Sequence, residues 1–408
     1  MTQRTLYRLI ENIGSRSFAS EEDMLTAILE EIVRSERTSI TGGRIWKLLP
    51  DDKKYRLVYE HGNIDPVVTG FEIRLKGYAV FEQVARRRTV LANETNHKLR
   101  EKGIIRYSAT GIGNRVEIGE IAYFEYMMAF NAEKVEPELK YILSIAGQAV
   151  TQMLNSRRSE AEKRSLQSEM DLARDLQRRL LPEHEYSFGN YELYGISVPE
   201  RTVGGDFFNY YPLPEDPDRM GISIGDAASK GFAAAVQALF VAGALMMSVE
   251  TESKISSMLR RINAINHRIF PHERFLTLCY CELFAGEEGL LLYSNAGHSK
   301  PIHYHAHSGE CTELTVTGPV IGLIPDAQFT VTNTNLLSGD VLLLYTDGIS
   351  EANDGEVEYG EERIIEIIKR HATGTAKDIC LELLQDVQTF SADGVYSDDK
   401  TVVVIKRQ

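Results

Sequence analysis

Cysteine is scarce in this sequence: Cys279, Cys281, Cys311 and Cys380 are the four in 408 residues. They show no repeated metal-ligand spacing, and in so long a chain they do not amount to a disulfide framework. A reducing cytoplasm is therefore the expected compartment. Basic charge is also in deficit, with 45 Lys and Arg against 59 Asp and Glu and a formal net charge of −14. Gripping nucleic acid takes clustered cations that neutralise phosphates, so no nucleic-acid partner is expected. Met1 to Ser17 lacks the continuous apolar run of a signal peptide, and export is not expected. One long apolar run does exist, Gly231 to Val249, in which Gln237 is the only strongly polar member. It is about long enough to cross a bilayer. Its many alanines and the acidic motif directly before it read instead as a buried helix, and no stable membrane insertion is expected.

What is present is the balance of a folded protein, 25% charged and 43% hydrophobic, with length for two or three domains. Residues 1–154 open with Met24, Leu25, Ile28, Leu29 and Ile32, whose spacing of three and four predicts an amphipathic helix. Two short strand-like runs follow, Gly43–Leu49 and Tyr55–Tyr59, and the polar turn Pro50–Lys54 between them predicts a hairpin. An aromatic-rich run, Ile121–Phe130, and a helical pattern over Pro137–Met153 complete the region. From residue 155 to 184 the chain is strongly charged, while Leu166, Met170, Ala173 and Leu180 recur as one helical stripe that Pro182 ends. This segment reads as a helical linker, either a rigid spacer or a coiled coil that pairs two copies into a homodimer.

Residues 185–408 change character. Strand patterns stand at Met220–Ile224, Leu276–Phe284, Leu290–Ser294, Pro301–His305, Val341–Tyr345 and Thr401–Ile405. Helical patterns stand between them at Phe232–Val249, Ile255–Phe270, Glu362–Arg370 and Ala376–Phe390. Strands with segregated helices predict an α+β fold of two stacked sheets covered by helices. Four acidic sites mark strand ends or Gly-rich turns: Asp206 in Gly204-Gly-Asp, Asp226 in Gly225-Asp-Ala, Asp347 in Thr346-Asp-Gly, and Asp398 with Asp399 after Ser397. One Asp-Gly pair usually only makes a turn. Four together offer the hard oxygen ligands that Mg²⁺ or Mn²⁺ prefers, whereas no His/Cys cluster has zinc spacing.

Six motifs occur in order: Leu180-Leu-Pro182, Val203-Gly-Gly-Asp-Phe-Phe208, Ile224-Gly-Asp-Ala-Ala-Ser-Lys-Gly231, Asn295-Ala-Gly-His298, Leu344-Tyr-Thr-Asp-Gly-Ile-Ser-Glu351 and Asp398-Asp-Lys-Thr401. Over about residues 170–408 they closely resemble the SpoIIE/RsbU branch of the metal-dependent PPM phosphatases. The resemblance implies a PPM-type α/β/β/α sandwich and hydrolysis of protein phosphoserine or phosphothreonine by a water that two Mn²⁺ or Mg²⁺ ions activate. It also implies that Asp226 bridges the ions with help from the Ala227 carbonyl, that Asp347 and Asp398 hold one ion and Asp206 the other, and that Asp399 stands just outside. The implied substrate is a phosphorylated regulator of the anti-anti-sigma type. Residues 15–155, through Arg44-Ile-Trp-Lys-Leu-Leu49 and the long closing helix, resemble a GAF-type sensory domain, which implies an unknown ligand or protein partner there. Trp46 and Tyr59 read as core aromatics.

The chain departs from the phosphatase pattern at Asn209, where many relatives have Asp, and at Ala227-Ala-Ser-Lys, where Ser229 replaces a freer Gly. Neither removes an expected ligand. Arg201 is a candidate for substrate phosphate, through its guanidinium fork, or for a surface role. His298 reads as a structural turn histidine or a proton donor. His303, His305 and His307 alternate along a strand and share one face, which reads as solvated, with metal binding as the alternative. The alternative to an enzyme is a non-catalytic metal-binding signalling scaffold.

Overall fold

The computed structural model describes residues 12–13, 16–34, 40–76, 78–94, 96–101, 104, 106–132, 137–213, 215–251, 254–271, 273–286, 288–391 and 398–408. Ser397 lies outside them. Two compact units divide the chain, Met1–Ser165 and Leu166–Gln408.

In the first unit, α1 (Glu21–Arg34) buries Met24, Leu25, Ile28, Leu29 and Ile32, the stripe its spacing predicts. Strands β1 (Ile40–Leu49), β2 (Lys54–Gly62), β3 (Glu72–Arg74), β4 (Thr89–Asn93), β5 (Arg106–Ile118) and β6 (Ile121–Ala132) form one sheet in the order β3-β2-β1-β6-β5-β4. All its pairings are antiparallel, and Leu49 opposes Lys54 in the expected hairpin. Helices α2 (Ala79–Arg87) and α3 (His97–Glu101) cover one face, where Phe81, Val84 and Leu99 pack with Trp46, Tyr55 and Phe124. On the other face α1 joins the start of α4 (Pro137–Leu180), whose Leu143, Ala146, Val150 and Leu154 pack with Ile45, Ile112 and Met128. Trp46 is thus a core residue. Tyr59 is only half-buried, and its hydroxyl donates to Glu30 at 2.5 Å.

The closing helix and the linker helix of the sequence reading are one element of 44 residues. The charge that rises at Asn155 does not break the helix, and Arg158 still pairs with Glu21 and Glu125. Beyond residue 165 its apolar positions Leu166, Leu172, Leu176 and Leu180 are exposed, while polar Gln177 is buried.

The second unit stacks two antiparallel sheets. Its strands are β7 (Glu185–Phe188), β8 (Tyr191–Val198), β9 (Phe207–Pro212), β10 (Arg219–Ala227), β11 (Leu276–Phe284), β12 (Leu290–Ala296), β13 (Ile302–His305), β14 (Glu310–Glu313), β15 (Thr332–Asn335), β16 (Val341–Tyr345) and β17 (Lys400–Arg407). One sheet runs β15-β12-β11-β10-β9 and the other β14-β13-β16-β17-β8-β7. Alternation along β16 sends Leu342 and Leu344 inward, with Val403, Ile405, Ile222, Ile224 and Cys279, and turns Leu343 and Tyr345 outward. The five-stranded sheet is covered by α5 (Phe232–Glu250) and α6 (Ile255–Ile269), the six-stranded one by α7 (Asp347–Ser350), α8 (Gly360–His371) and α9 (Ala376–Phe390). The layers are therefore α/β/β/α. Each fully buried Leu, Ile or Val contributes about 1.5–3 kcal/mol, which makes these three cores the main stabilising term. Among the described residues α5 is the one helix long and apolar enough to cross a membrane. Here it lays Ala234, Ala238, Val241 and Leu245 on the sheet.

Candidate metal centre

Antiparallel pairing brings the four acidic motifs to one edge of the sandwich. The start of β9 lies beside the end of β10, with Phe207 opposite Gly225, so Asp206 and Asp226 are neighbours. In the other sheet the end of β16 lies beside the start of β17, with Tyr345 opposite Val402, which pairs the flanking Asp347 and Asp398. Thr346 joins the two sheets. Its hydroxyl donates to Asp206 Oδ2 at 2.7 Å and accepts the Thr401 backbone N–H at 3.0 Å.

Asp399 holds the loop that carries Asp206. Its carboxylate accepts the backbone N–H groups of Glu200 (2.7 Å), Gly205 (2.6 Å) and Asp206 (3.4 Å). Such close approach needs glycine on both sides. A Cβ on Gly204 would stand 2.4 Å from Asp399 Oδ2, and one on Gly348 would stand 1.8 Å from the Asp399 carbonyl oxygen. From the other direction, Gln177 of α4 grips Gly204 with both ends of its amide, donating to the Gly204 carbonyl at 2.8 Å and accepting the Gly204 N–H at 3.2 Å.

Charge of one sign accumulates at this edge. Asp206 is 3% exposed, and burial, then Asp226 and Asp399, push its carboxyl well above the usual range. Burial, followed by the charge of Asp347, raises Asp226 to about 7, partly offset by a hydrogen bond from Asp206. Asp347 is raised by burial and by Asp398, and Asp399 by burial. Lys230 is a nearby cation, 3.1 Å from Asp398 and 3.9 Å from Glu200. Buried carboxylates that repel one another fit hard divalent cations, which replace the missing water and offset the charge. The Ala227 backbone belongs to the same edge: its N–H donates to the Gly205 carbonyl at 3.3 Å, and the residue is buried.

Compared with known proteins, residues 216–408 match the family described as Stage II sporulation protein E (SpoIIE). Those residues are similar to a SpoIIE-type PP2C phosphatase domain, RsbU-like, and the chain is a PP2C-type hydrolase. The chain is 24% identical over 243 residues to phosphoserine phosphatase RsbU of Bacillus subtilis (strain 168), covering 60% of this chain and 71% of that protein. It is 26% identical over 268 residues to protein IcfG of Synechocystis sp., covering 59% of this chain but only 41% of IcfG. The SiaA PP2C domain of Pseudomonas aeruginosa has a similar fold, with a TM-score of 0.52 at 19% identity over 61% of this chain and 99% of that one.

Arg201 is exposed in the loop five residues before Asp206, and among the described residues no hydrogen bond or ion pair joins it to the carboxylates. His298 is 3% exposed, its Nδ1 lies 2.8 Å from Thr277 Oγ1, and Asn295 brackets its backbone by accepting its N–H and donating to its carbonyl. Burial pushes its ring down to about 4, which favours the neutral form at pH 7. The strand face of His303 is not solvated as read: that ring is 1% exposed, His305 is half-buried, and His307 lies exposed beyond the strand. Thr346 and Gln177 escaped the sequence reading. Thr346 stands within the Leu344–Glu351 motif, but nothing local signals a contact 140 residues away.

Proposed function

We propose that the chain is a metal-dependent protein phosphatase that hydrolyses phosphoserine or phosphothreonine on a regulatory protein of the anti-anti-sigma type, in the cytoplasm. The observation that carries this reading is the cluster of Asp206, Asp226, Asp347, Asp398 and Asp399 on one edge of a PP2C sandwich, four of them with raised carboxyl pKa values. A relative named phosphoserine phosphatase RsbU supports the substrate class.

Asp226 is assigned between two ions, Mn²⁺ or Mg²⁺, assisted by the Ala227 carbonyl, with Asp347 and Asp398 on one ion and Asp206 on the other. When bound, such ions supply Lewis acidity and an activated water for attack on phosphorus. The chain's own residues set the geometry. Thr346 fixes the rotamer of Asp206, and Asp399 fixes its loop. Lys230 offsets the charge of Asp398. The exposed guanidinium of Arg201 is assigned to the substrate phosphate, which it suits as a bidentate donor.

Control is assigned to residues 1–154, a GAF-like domain that takes an unidentified ligand or protein, and is passed through the linker 155–184 to the phosphatase at 185–408. Exposed Leu166, Leu172, Leu176 and Leu180 suit pairing with a second copy of the helix. The grip of Gln177 on Gly204, two residues before Asp206, offers a path from helix to site. The test is phosphate release from a phosphoserine protein with Mn²⁺ or with chelator. Release that needs the metal and disappears in Asp226→Ala supports the enzyme. A folded wild-type chain that binds Mn²⁺ yet releases nothing favours the scaffold.

A further inference from the structure

A second group of metal-ligand side chains lies at the other end of β16. Asp340, just before that strand, is 2% exposed and accepts the backbone N–H groups of Ala306 (2.8 Å) and Leu337 (2.9 Å). Its Oδ2 also lies 3.0 Å from His303 Nε2. A carboxylate oxygen accepts, so His303 Nε2 carries the proton and Nδ1 keeps its lone pair. That Nδ1 is buried and has no hydrogen-bond partner among the described residues, a costly state for a polar atom. His305 is two residues on and therefore on the same strand face. Its ring centroid is 3.9 Å from that of His303, and its Nε2 is 2.8 Å from Thr312 Oγ1. One nitrogen or carboxylate oxygen from each of His303, His305 and Asp340 lies within 4.8 Å of the others.

We propose that His303 and His305 bind a divalent transition ion, zinc by donor type, with Asp340 orienting the His303 ring. Imidazole pairs select zinc and its neighbours over Mg²⁺ or Mn²⁺, which want oxygen. A carboxylate on the far ring nitrogen is the usual partner of a metal-bound histidine, because it sets the tautomer and raises ligand basicity. His305 is half-buried, so water completes the coordination from the solvent side. The site shares no residue with the aspartate cluster. Asp347 lies seven positions after Asp340, roughly 20 Å at about 3.3 Å per strand residue. Asp340 ties the metal-bearing strand β13 to the turn that launches β16.

The experiment uses the full chain, stripped of metal and then held in excess Mg²⁺ so that the oxygen-ligand centre is filled. One equivalent of Cu²⁺ serves as a spectroscopic probe, and Zn²⁺ affinity is measured by competition with a chromogenic chelator. Wild type is expected to show nitrogen superhyperfine splitting in the Cu²⁺ spectrum, which an all-oxygen site cannot produce. His305→Ala, at the solvent edge of a strand, is expected to keep its melting temperature in Mg²⁺, lose the splitting, and bind Zn²⁺ at least as weakly as the roughly 10–100-fold losses seen when an outer partner is removed. Absence of nitrogen splitting in wild type, or an unchanged Zn²⁺ affinity in His305→Ala, overturns the proposal.

Discussion

Asp226 carries part of the electrostatic cost of the edge, which Asp206, Asp347 and Asp399 share. Its carboxyl titrates near 7 in the folded chain, against about 3.9 when unfolded, because it is buried beside Asp347. Between those values the native state holds a proton that the unfolded state has lost. The metal-free chain therefore loses stability as pH rises from about 4 to about 7, and the penalty is level above that. Metal displaces the proton, so its affinity should fall as pH drops below 7. Asp226→Asn removes the charge: we expect a higher melting temperature than wild type in chelator at pH 8, a smaller difference at pH 5, and loss of several kcal/mol of metal-supplied charge stabilisation, roughly 1000-fold in rate. Thermal melts in chelator at the two pH values check the sign. Thr346→Val keeps the shape but leaves the Thr401 N–H unpaired, at about 1–3 kcal/mol. It also frees Asp206, so half-maximal activity should need more metal, read from a Mn²⁺ titration.

Among the elements, the apolar strands that end at a turn were legible because an apolar run followed by turn residues is a local signal. Leu276–Phe284 and Val341–Tyr345 stand where their patterns put them, and so does Ala376–Phe390. Polar strands were not legible. Glu310–Glu313 and Thr332–Asn335 lie at sheet edges with little to bury, and only pairing with β13 and β12 makes them strands. The long helix hid its most informative residue for a related reason. Periodicity draws attention to leucines, whereas the buried position is Gln177, whose partner is backbone. Gln177→Ala removes two hydrogen bonds, each worth about 0.5–1.5 kcal/mol. The expected result is a folded chain with a weaker hold on Gly204 and a raised metal requirement. Gly204→Ala, which forces a Cβ into Asp399, should show the same defect more strongly in the same titration.

For the whole molecule, the motifs pointed to the carboxy-terminal unit, where residues 216–408 match the SpoIIE family, because the proposed metal chemistry would constrain residue type at every ligand. The amino-terminal unit carries no such constraint, so its sheet order was not readable from the chain. Two fragments separate the roles of the helix. Residues 166–408 keep Gln177 and should need less metal than residues 185–408 for the same rate. In the full chain, Leu172→Glu with Leu176→Glu alters residues that are 62% and 51% exposed, so folding should survive. If the helix pairs two copies, light scattering should show dimer mass in wild type and monomer mass in the double variant.

The most direct test is phosphate release from a phosphoserine protein by the full chain, followed as Mn²⁺ is added to metal-free enzyme, with Asp226→Asn alongside. Release that rises with Mn²⁺ in wild type, is abolished by chelator and falls roughly 1000-fold in the folded variant is the predicted result. Equal release by both proteins, or release by wild type that persists in chelator, contradicts a reaction built on these carboxylates.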